Sequence, residues 1–220
     1  MQIYRIGGAF YDMLHLSLTM RKEEVLKASA IEGLGLQPGA TVLDWGCGTG
    51  LSLRLLYPWL RDGGTIYAVD SSPSMAKRAV ACCKPSDVLK YHFLLRDGLD
   101  LPIQEEVDVV IASYSLGVLS TDQFDPALQG IWKALKPGGR LLLLDMYVPT
   151  EQPWLRRVYQ KATISFANKV FRQDFSETLL PAANKYFDTV SISHDEPLMA
   201  VTFVGQKRAQ PLHDVVANAV

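Results

Sequence analysis

The sequence predicts an α/β fold, with a doubly wound, mostly parallel sheet of seven strands that ends in a C-terminal antiparallel hairpin. Apolar, strand-like runs alternate with helical patterns between residues 41 and 145. Parallel strands that are buried on both faces need such helical crossovers between them. Two further β-like runs follow at 187–194 and 198–206, close enough in the chain to pair as a hairpin.

Length and composition fit one globular domain. The chain has 220 residues, of which 48% are hydrophobic and 20% charged, enough for a substantial core. A formal net charge of −1 indicates no nucleic-acid surface, so no nucleic-acid partner is expected. The 3 cysteines suit a reducing compartment better than a disulfide framework, and the 4 histidines lack metal-ligand spacing. We expect a cytoplasmic protein without a metal site.

The predicted elements follow from local patterns. Continuous apolar runs predict strands at 41–45, 65–70, 91–95, 107–112 and 140–145. Apolar residues at helical spacing predict helices at 9–35, 50–61, 73–83, 122–136, 153–168 and 176–185. Pro58 is expected to distort the second helix. Pro73 follows two serines as a helix start, and the turn Lys136-Pro137-Gly138-Gly139 is expected to end the fourth helix.

One segment stands out for its chemistry, the strand-turn-helix pattern Val42–Gly50. Its glycines Gly46, Gly48 and Gly50 read G-x-G-x-G, and Leu51 stands where a dinucleotide fingerprint needs its third glycine. Asp70, twenty residues beyond Gly50, ends the next strand and offers two acceptor oxygens to the hydroxyls of a ribose. The offset favours S-adenosylmethionine over NAD, and an NAD-dependent oxidoreductase is the weaker alternative.

These segments resemble the class I S-adenosylmethionine-dependent methyltransferases, which have a Rossmann-like fold. The matching stretches are Val42–Gly50, Asp70, Asp97–Pro102 and Ala134–Leu141, and the core resemblance covers residues 40–146. Residues 10–12 and 112–116 resemble the branch that contains the ubiquinone/menaquinone methyltransferases and the bacterial phospholipid and betaine-lipid N-methyltransferases. Within that branch, residues 114–119 and 154–156 are more similar to the lipid N-methyltransferases. The resemblance implies four parts in one domain, 1–220: an N-terminal helical lid (1–38), a cofactor-binding core (39–148), a helical substrate insert (149–186) and a terminal strand pair (187–208).

The resemblance also implies a set of cofactor contacts. Asp97 is expected to accept from the adenine amino group, and Met75 and Leu99 to sandwich the ring. Asp97 as a plain turn residue remains an alternative, and Cys47 fits a small turn residue better than a nucleophile. Trp45 departs from the family pattern, and its indole is expected to narrow the methionine end of the pocket. The full predicted set is Asp44, Gly46, Cys47, Gly48, Thr49, Gly50, Asp70, Ser71, Met75, Asp97, Gly98, Leu99 and Ser113.

No general base is obvious for the methyl transfer itself, which depends mainly on in-line alignment of the reactants. Tyr11 and His15 lie in the predicted lid, and Tyr114 follows the fourth strand, where substrate-facing residues are expected. These three are the candidate catalytic residues. Core packing is the alternative role for either tyrosine, and a lid histidine without catalytic function is the alternative for His15.

The acceptor is predicted less directly. Methylation of an amine nitrogen, on a small molecule or a lipid headgroup, is the first hypothesis. Carbon methylation of a quinone precursor and a non-catalytic cofactor-binding protein are the alternatives. Residues 153–168 form a basic amphipathic pattern, which either packs on the domain or lies on an anionic membrane at its inner face.

Overall fold

The computed structural model describes residues 20–84, 86–146, 175–196, 198 and 200–212. Its helices are α1 (Met20–Gly33), α2 (Leu51–Leu60), α3 (Pro73–Cys82), α4 (Thr121–Ala134) and α5 (Leu180–Tyr186), the last preceded by a π-helical turn, Phe175–Leu179. Its strands are β1 (Thr41–Trp45), β2 (Thr65–Asp70), β3 (Lys90–Leu95), β4 (Val107–Ser113), β5 (Leu135–Met146), β6 (Phe187–Asp195) and β7 (Ala200–Lys207).

The strands form one seven-stranded sheet in the order β3-β2-β1-β4-β5-β7-β6. The first five are parallel to their neighbours, whereas β7 runs antiparallel to both β5 and β6. The predicted fold class and the C-terminal strand pair are therefore confirmed. The strand order reverses between β1 and β4, and ligands of such sheets bind where the order reverses, beyond the carboxyl ends of the strands.

The boundary between the fourth helix and the fifth strand differs most from the prediction. Helix α4 ends at Ala134, and β5 begins at Leu135, five residues before the predicted strand. The reason is that buried Leu135 already pairs with Val107, and the register resumes only where Val109 pairs with Arg140. The residues between Leu135 and Arg140 form an irregularity within the strand. Helix α2 runs through Pro58 and ends two residues later.

Side chains of β1 alternate between two apolar clusters on opposite faces of the sheet. Leu43 and Trp45 pack with α4 residues such as Leu128. Val42 packs on the other face with Ile31 of α1 and with α2. Because successive side chains of a strand point to opposite faces, Asp44 lies on the same face as Val42, beneath α1. The core thus holds the ends of β1, β2 and β4 in fixed positions.

Some predictions fall outside the described residues: Tyr11, His15, the start of the first helix and the amphipathic pattern 153–168. In the part of the chain that the structure describes, no helix has both the length and the apolar character needed to cross a membrane.

Candidate functional site

The glycine turn after β1 is held by backbone hydrogen bonds to the neighbouring strand. The N–H groups of Gly46 and Cys47 both donate to the carbonyl of Val69, at 2.8 and 2.9 Å. Gly46 and Gly48 have positive φ angles of 71° and 55°, which favour glycine. A Cβ at Gly46 would lie 2.5 Å from the Cβ of Ser115, whereas at Gly48 it would meet no atom nearer than 4.0 Å. The turn is therefore closed at Gly46 and open at Gly48.

Asp70, at the end of β2, faces this open side. Its Oδ2 accepts from the N–H of Gly48 and its Oδ1 from the N–H of Ser72, both at 2.8 Å. Burial raises the pKa of Asp70, and these two N–H groups oppose the rise. Each carboxylate oxygen has a second lone pair, so the oriented carboxylate can still accept two hydroxyl groups. Ser71 is exposed beside it, and the buried Met75 lies in the first turn of α3.

Asp44 is a buried carboxylate beneath the turn. It is 1% exposed, and Lys27 of α1 is buried near it. Burial raises the pKa of Asp44 to about 7, although the charge of Lys27 and a hydrogen bond from the Ser52 side chain oppose the rise. Burial lowers the pKa of Lys27, and the carboxylates of Glu23 and Asp44 counteract that shift. Asp44 is thus poised between its two protonation states near neutral pH.

Two buried side-chain oxygens in the described residues have no hydrogen-bond partner, Asp44 Oδ2 and Ser113 Oγ. Ser113 ends β4, the strand adjacent to β1, and Asp44 pairs with Ile111 of that strand. Alternation along β4 places Ser113 and Ile111 on the same face, the face that Asp44 occupies. Buried polar atoms are rarely left unpaired, because the loss of hydration costs free energy. The pair therefore fits the ammonium and carboxylate groups of an amino-acid moiety.

The loop after β3 forms a tight turn of its own. Asp97 is exposed, and its Oδ1 accepts from the N–H of Leu99 at 3.1 Å, so the predicted alternative of a turn residue is present in the geometry. Its Oδ2 accepts no hydrogen bond from the described part of the chain. Leu99 is half-buried against the core. The other oxygen of Asp97 is thus available to a ligand.

The Trp45 indole packs against the loop after β3. Its Nε1 donates to the carbonyl of Gly98 at 3.0 Å, and its ring lies against Gly98. The indole therefore lies beside the loop that is predicted to contact the adenine, and its effect on the methionine end stays a prediction. Its direction follows from strand alternation, which places Trp45 on the opposite face from Asp44.

Cys47 and Thr49 are the two residues between the glycines of the turn. Burial, with the nearby charges of Asp44 and Asp70, raises the pKa of the buried Cys47 thiol, which therefore stays protonated and is unsuited to act as a nucleophile. The carbonyl of Thr49 accepts from the Cys82 thiol of α3 at 3.1 Å. A Cβ at Gly50 would lie 2.9 Å from the Cα of Ala79, so α3 packs directly on the turn.

Tyr114 follows β4 in an unusual backbone conformation. Its φ is 51°, in the left-handed region that bulky residues rarely adopt, and its N–H donates to the carbonyl of Leu144 at 2.7 Å. Strained residues of this kind concentrate at functional sites. The conformation is consistent with the predicted substrate-facing role of Tyr114.

The sequence reasoning missed three residues that build this site. Lys27 of α1 is buried near Asp44, as described above. Ser115 donates its hydroxyl to the carbonyl of Trp45 at 2.9 Å, which ties the loop after β4 to the glycine turn. Asp145 accepts from the N–H groups of Gly117 and Met146, at 2.9 and 2.8 Å, and burial raises its pKa to about 6. No local pattern signals these three residues, because their contacts with Asp44, Trp45 and Gly117 join residues far apart in the chain.

The described residues contain no group of three or more histidine, cysteine, aspartate or glutamate side chains placed to hold a metal ion. The polar groups of the site are instead carboxylates, one hydroxyl and backbone groups around an open glycine turn. That set suits an organic ligand with hydroxyl and ammonium groups.

Comparison with known proteins shows what this chain is similar to. Residues 42–139 match the family model described as a methyltransferase domain. The demethylmenaquinone methyltransferase of Lactococcus lactis is 26% identical over 80% of this chain and 70% of its own length. The ubiquinone/menaquinone biosynthesis C-methyltransferase of Vibrio parahaemolyticus is 28% identical over 72% of this chain and 61% of its own, so the match leaves over a third of that relative uncovered.

The solved structures agree on the fold. A SAM-dependent methyltransferase from Aquifex aeolicus superposes with a TM-score of 0.59, at 18% identity, over 83% of this chain and 89% of its own. Together these findings confirm the predicted resemblance to class I methyltransferases and the predicted enzyme class.

Proposed function

We propose that this protein transfers the methyl group of S-adenosylmethionine to a ring carbon of a small hydroxylated aromatic acceptor of the quinol type. One structural observation carries the donor half of the proposal, the unpaired buried oxygens Asp44 Oδ2 and Ser113 Oγ at the ends of the adjacent strands β1 and β4. The acceptor half is supported by the relatives named above, two of which are named for methylation in quinone biosynthesis.

Each polar group of the site is assigned to one part of the cofactor. The ionised Asp44 pairs with the ammonium group of the methionine part, and the Ser113 hydroxyl donates to its carboxylate. The ribose hydroxyls donate to the free lone pairs of Asp70, whose orientation the N–H groups of Gly48 and Ser72 fix. When bound, the cofactor supplies a methyl group already activated on its sulfonium sulfur.

The protein's remaining task is alignment. In carbon methylation a bond forms between the ring carbon and the methyl group while the sulfur–methyl bond breaks. The ring carbon then loses its proton to solvent, and S-adenosylhomocysteine leaves. Holding the reactants in line contributes about 7–11 kcal/mol to such a step. Tyr114 is our candidate for contact with the acceptor, because it follows the strand end that carries Ser113. Tyr11 and His15 stay predictions for the same role.

The acceptor test compares two chemical classes in one assay. The purified chain is incubated with S-adenosylmethionine labelled in its methyl group and with either a prenylated naphthoquinol lacking the ring methyl, kept reduced, or vesicles of an ethanolamine-headgroup lipid. We expect label in the quinol. A Gly48→Ala variant, whose added methyl group fills the open space at residue 48, is the control in which cofactor binding is blocked.

Each result decides between the hypotheses. Label in the lipid amine alone would contradict carbon methylation and support the amine hypothesis. Binding of S-adenosylhomocysteine without turnover of either acceptor would contradict the proposed acceptor class. Binding of NAD in place of S-adenosylhomocysteine, measured by calorimetry, would overturn the donor assignment as well.

A further inference from the structure

The side chain of Trp45 links two strand ends that are not neighbours in the sheet. Trp45 ends β1 and pairs with Val69 of β2, while its indole reaches Gly98, in the loop after β3. The indole is only 5% exposed. It therefore passes under the end of β2, the strand that carries Asp70.

The contact with Gly98 is specific in shape as well as in hydrogen bonding. The indole N–H donates to the Gly98 carbonyl at 3.0 Å. A Cβ at residue 98 would lie 2.4 to 2.5 Å from three ring atoms, Cε2, Cζ2 and Nε1. Real Cβ atoms do not approach that closely, so the indole at 45 requires glycine at 98. The two positions form one packed unit, although 53 residues separate them.

This unit supports the turn that faces the ligand's base. Asp97 and Leu99 flank Gly98 and are joined by the hydrogen bond from Leu99 N–H to Asp97 Oδ1. A rigid support under Gly98 therefore fixes both the direction of the Asp97 carboxylate and the height of the Leu99 side chain.

We propose that Trp45 is a positioning residue that sets selectivity for a 6-aminopurine, by holding Gly98 so that Asp97 Oδ2 meets the amino group of the base. This proposal rests on the proposed function. A carboxylate accepts a hydrogen bond from a 6-amino group, whereas a 6-oxo group would place one acceptor against another. Leu99 contacts the ring face and does not distinguish the two bases.

The test measures selectivity, which a purely structural role of Trp45 would not change. Calorimetry gives the dissociation constants of S-adenosylhomocysteine and of S-inosylhomocysteine, in which a 6-oxo group replaces the 6-amino group. We expect the unmodified chain to prefer the adenosine compound about thirtyfold, the worth of one hydrogen bond to a charged group. Trp45→Phe removes the N–H and keeps most of the ring, and we expect it to reduce the preference to below about fivefold.

A matched pair of variants tests the packing independently. Gly98→Ala is expected to weaken S-adenosylhomocysteine binding about tenfold in the unmodified chain, because the new Cβ displaces the indole. In a Trp45→Val background the same change has room, and we expect it to alter binding less than about twofold. Thermal unfolding of every variant verifies that the variant is folded.

The outcomes separate this proposal from the proposed function. An undiminished preference in Trp45→Phe would overturn the role of Trp45, as would an equal cost of Gly98→Ala in both backgrounds. Failure of the unmodified chain to bind S-adenosylhomocysteine would overturn the proposed function, and this proposal with it. Should Trp45→Phe not fold, the cycle with Trp45→Val and Gly98→Ala decides alone.

Discussion

Two glycine-rich turns lie at opposite ends of the parallel strands. They have similar sequences but different surroundings. The first, Gly46–Gly50, follows the carboxyl end of β1, and the second, Lys136–Gly139, lies in the first part of β5 at the amino edge. Beside the first turn are a buried carboxylate oxygen of Asp44 without a partner and open space at Gly48. The first turn therefore leaves a polar group unpaired and space unfilled, and we propose that a ligand occupies both.

The second turn is complete in itself. A Cβ at Gly139 would lie 2.9 Å from the carbonyl oxygen of Lys136 and 3.1 Å from that of Asp108. The Lys136 ammonium lies 2.8 Å from Asp108 Oδ1, and the N–H of Thr41 donates to Asp108 Oδ2 at 2.8 Å. Glycine therefore permits close packing at one edge and leaves room for a ligand at the other. The difference lies in the surroundings of each turn and not in its sequence.

The largest expected effect, on ligand affinity, comes from filling the open space at Gly48. Gly48→Ala adds a Cβ where no described atom lies within 4 Å, so the ligand is displaced and the fold is not. We expect S-adenosylhomocysteine to bind about a hundredfold more weakly. The positive φ at residue 48 adds a strain of about 1 kcal/mol, which lowers the free energy of unfolding by a similar amount.

Gly139→Ala is the matched control for that variant. Its Cβ meets backbone and the Leu135 side chain, so we expect the free energy of unfolding to fall by about 2 kcal/mol, with ligand affinity within about twofold of normal. Calorimetry and urea denaturation measure the two quantities on both variants. The comparison fails if Gly139→Ala weakens binding as much as Gly48→Ala does.

The next effect concerns the protonation of Asp44. Its pKa is raised to about 7, so below pH 7 the carboxyl group is mostly protonated and cannot pair with an ammonium group. Ligand affinity should therefore rise with pH and level off above 7. We expect the dissociation constant of S-adenosylhomocysteine to fall about tenfold between pH 6 and pH 8.

Asp44→Asn should bind weakly and lose this pH dependence. Asp145→Asn is the control, since Asp145 is a second buried carboxylate with a raised pKa, about 6, but both its oxygens accept from backbone N–H groups. It should retain the pH dependence. A pH-independent affinity in the unmodified chain would exclude Asp44 as the ammonium partner.

Local patterns predicted the strands, the order of elements and the residues of the glycine turn. Periodicity and turn residues are properties of short segments, so Asp70 at a strand end was predictable from its neighbours alone. The start of β5 was not, because the pairing of Leu135 with Val107 joins distant parts of the chain. The Trp45–Gly98 contact and the buried Lys27 were missed for the same reason.

A smaller effect is expected from the strained backbone at Tyr114. Tyr114→Gly and Tyr114→Ala lose nearly the same side-chain contacts, but only glycine adopts a φ of 51° without strain. The glycine variant should therefore be more stable than the alanine variant by about 1 kcal/mol in urea denaturation, the reverse of the usual order. Both should lose methyl transfer if Tyr114 contacts the acceptor. Equal stability of the two variants would show that the backbone relaxes when the tyrosine is removed.

The smallest expected effect tests the turn at the amino edge. The Lys136–Asp108 ion pair is partly exposed, with 42% and 39% of the two side chains accessible, so solvent screens it. Lys136→Met should lower the free energy of unfolding by about 0.5 kcal/mol at low salt, and the difference should vanish in about 1 M salt.

Lys133→Met is the matched control, because the Lys133 ammonium contacts the neutral side chain of Gln129 at 3.5 Å. It should show no salt-dependent difference in stability. Neither variant should change the affinity for S-adenosylhomocysteine, because both lysines lie far from the carboxyl edge that carries Gly48. A change of more than about fivefold in Lys136→Met alone, about 1 kcal/mol and so above the few tenths of a kcal/mol by which distant sites couple, would connect the amino-edge turn to the ligand. Both turns would then affect ligand binding. The difference between the packed Gly139 and the open Gly48 would no longer distinguish a structural turn from a binding turn.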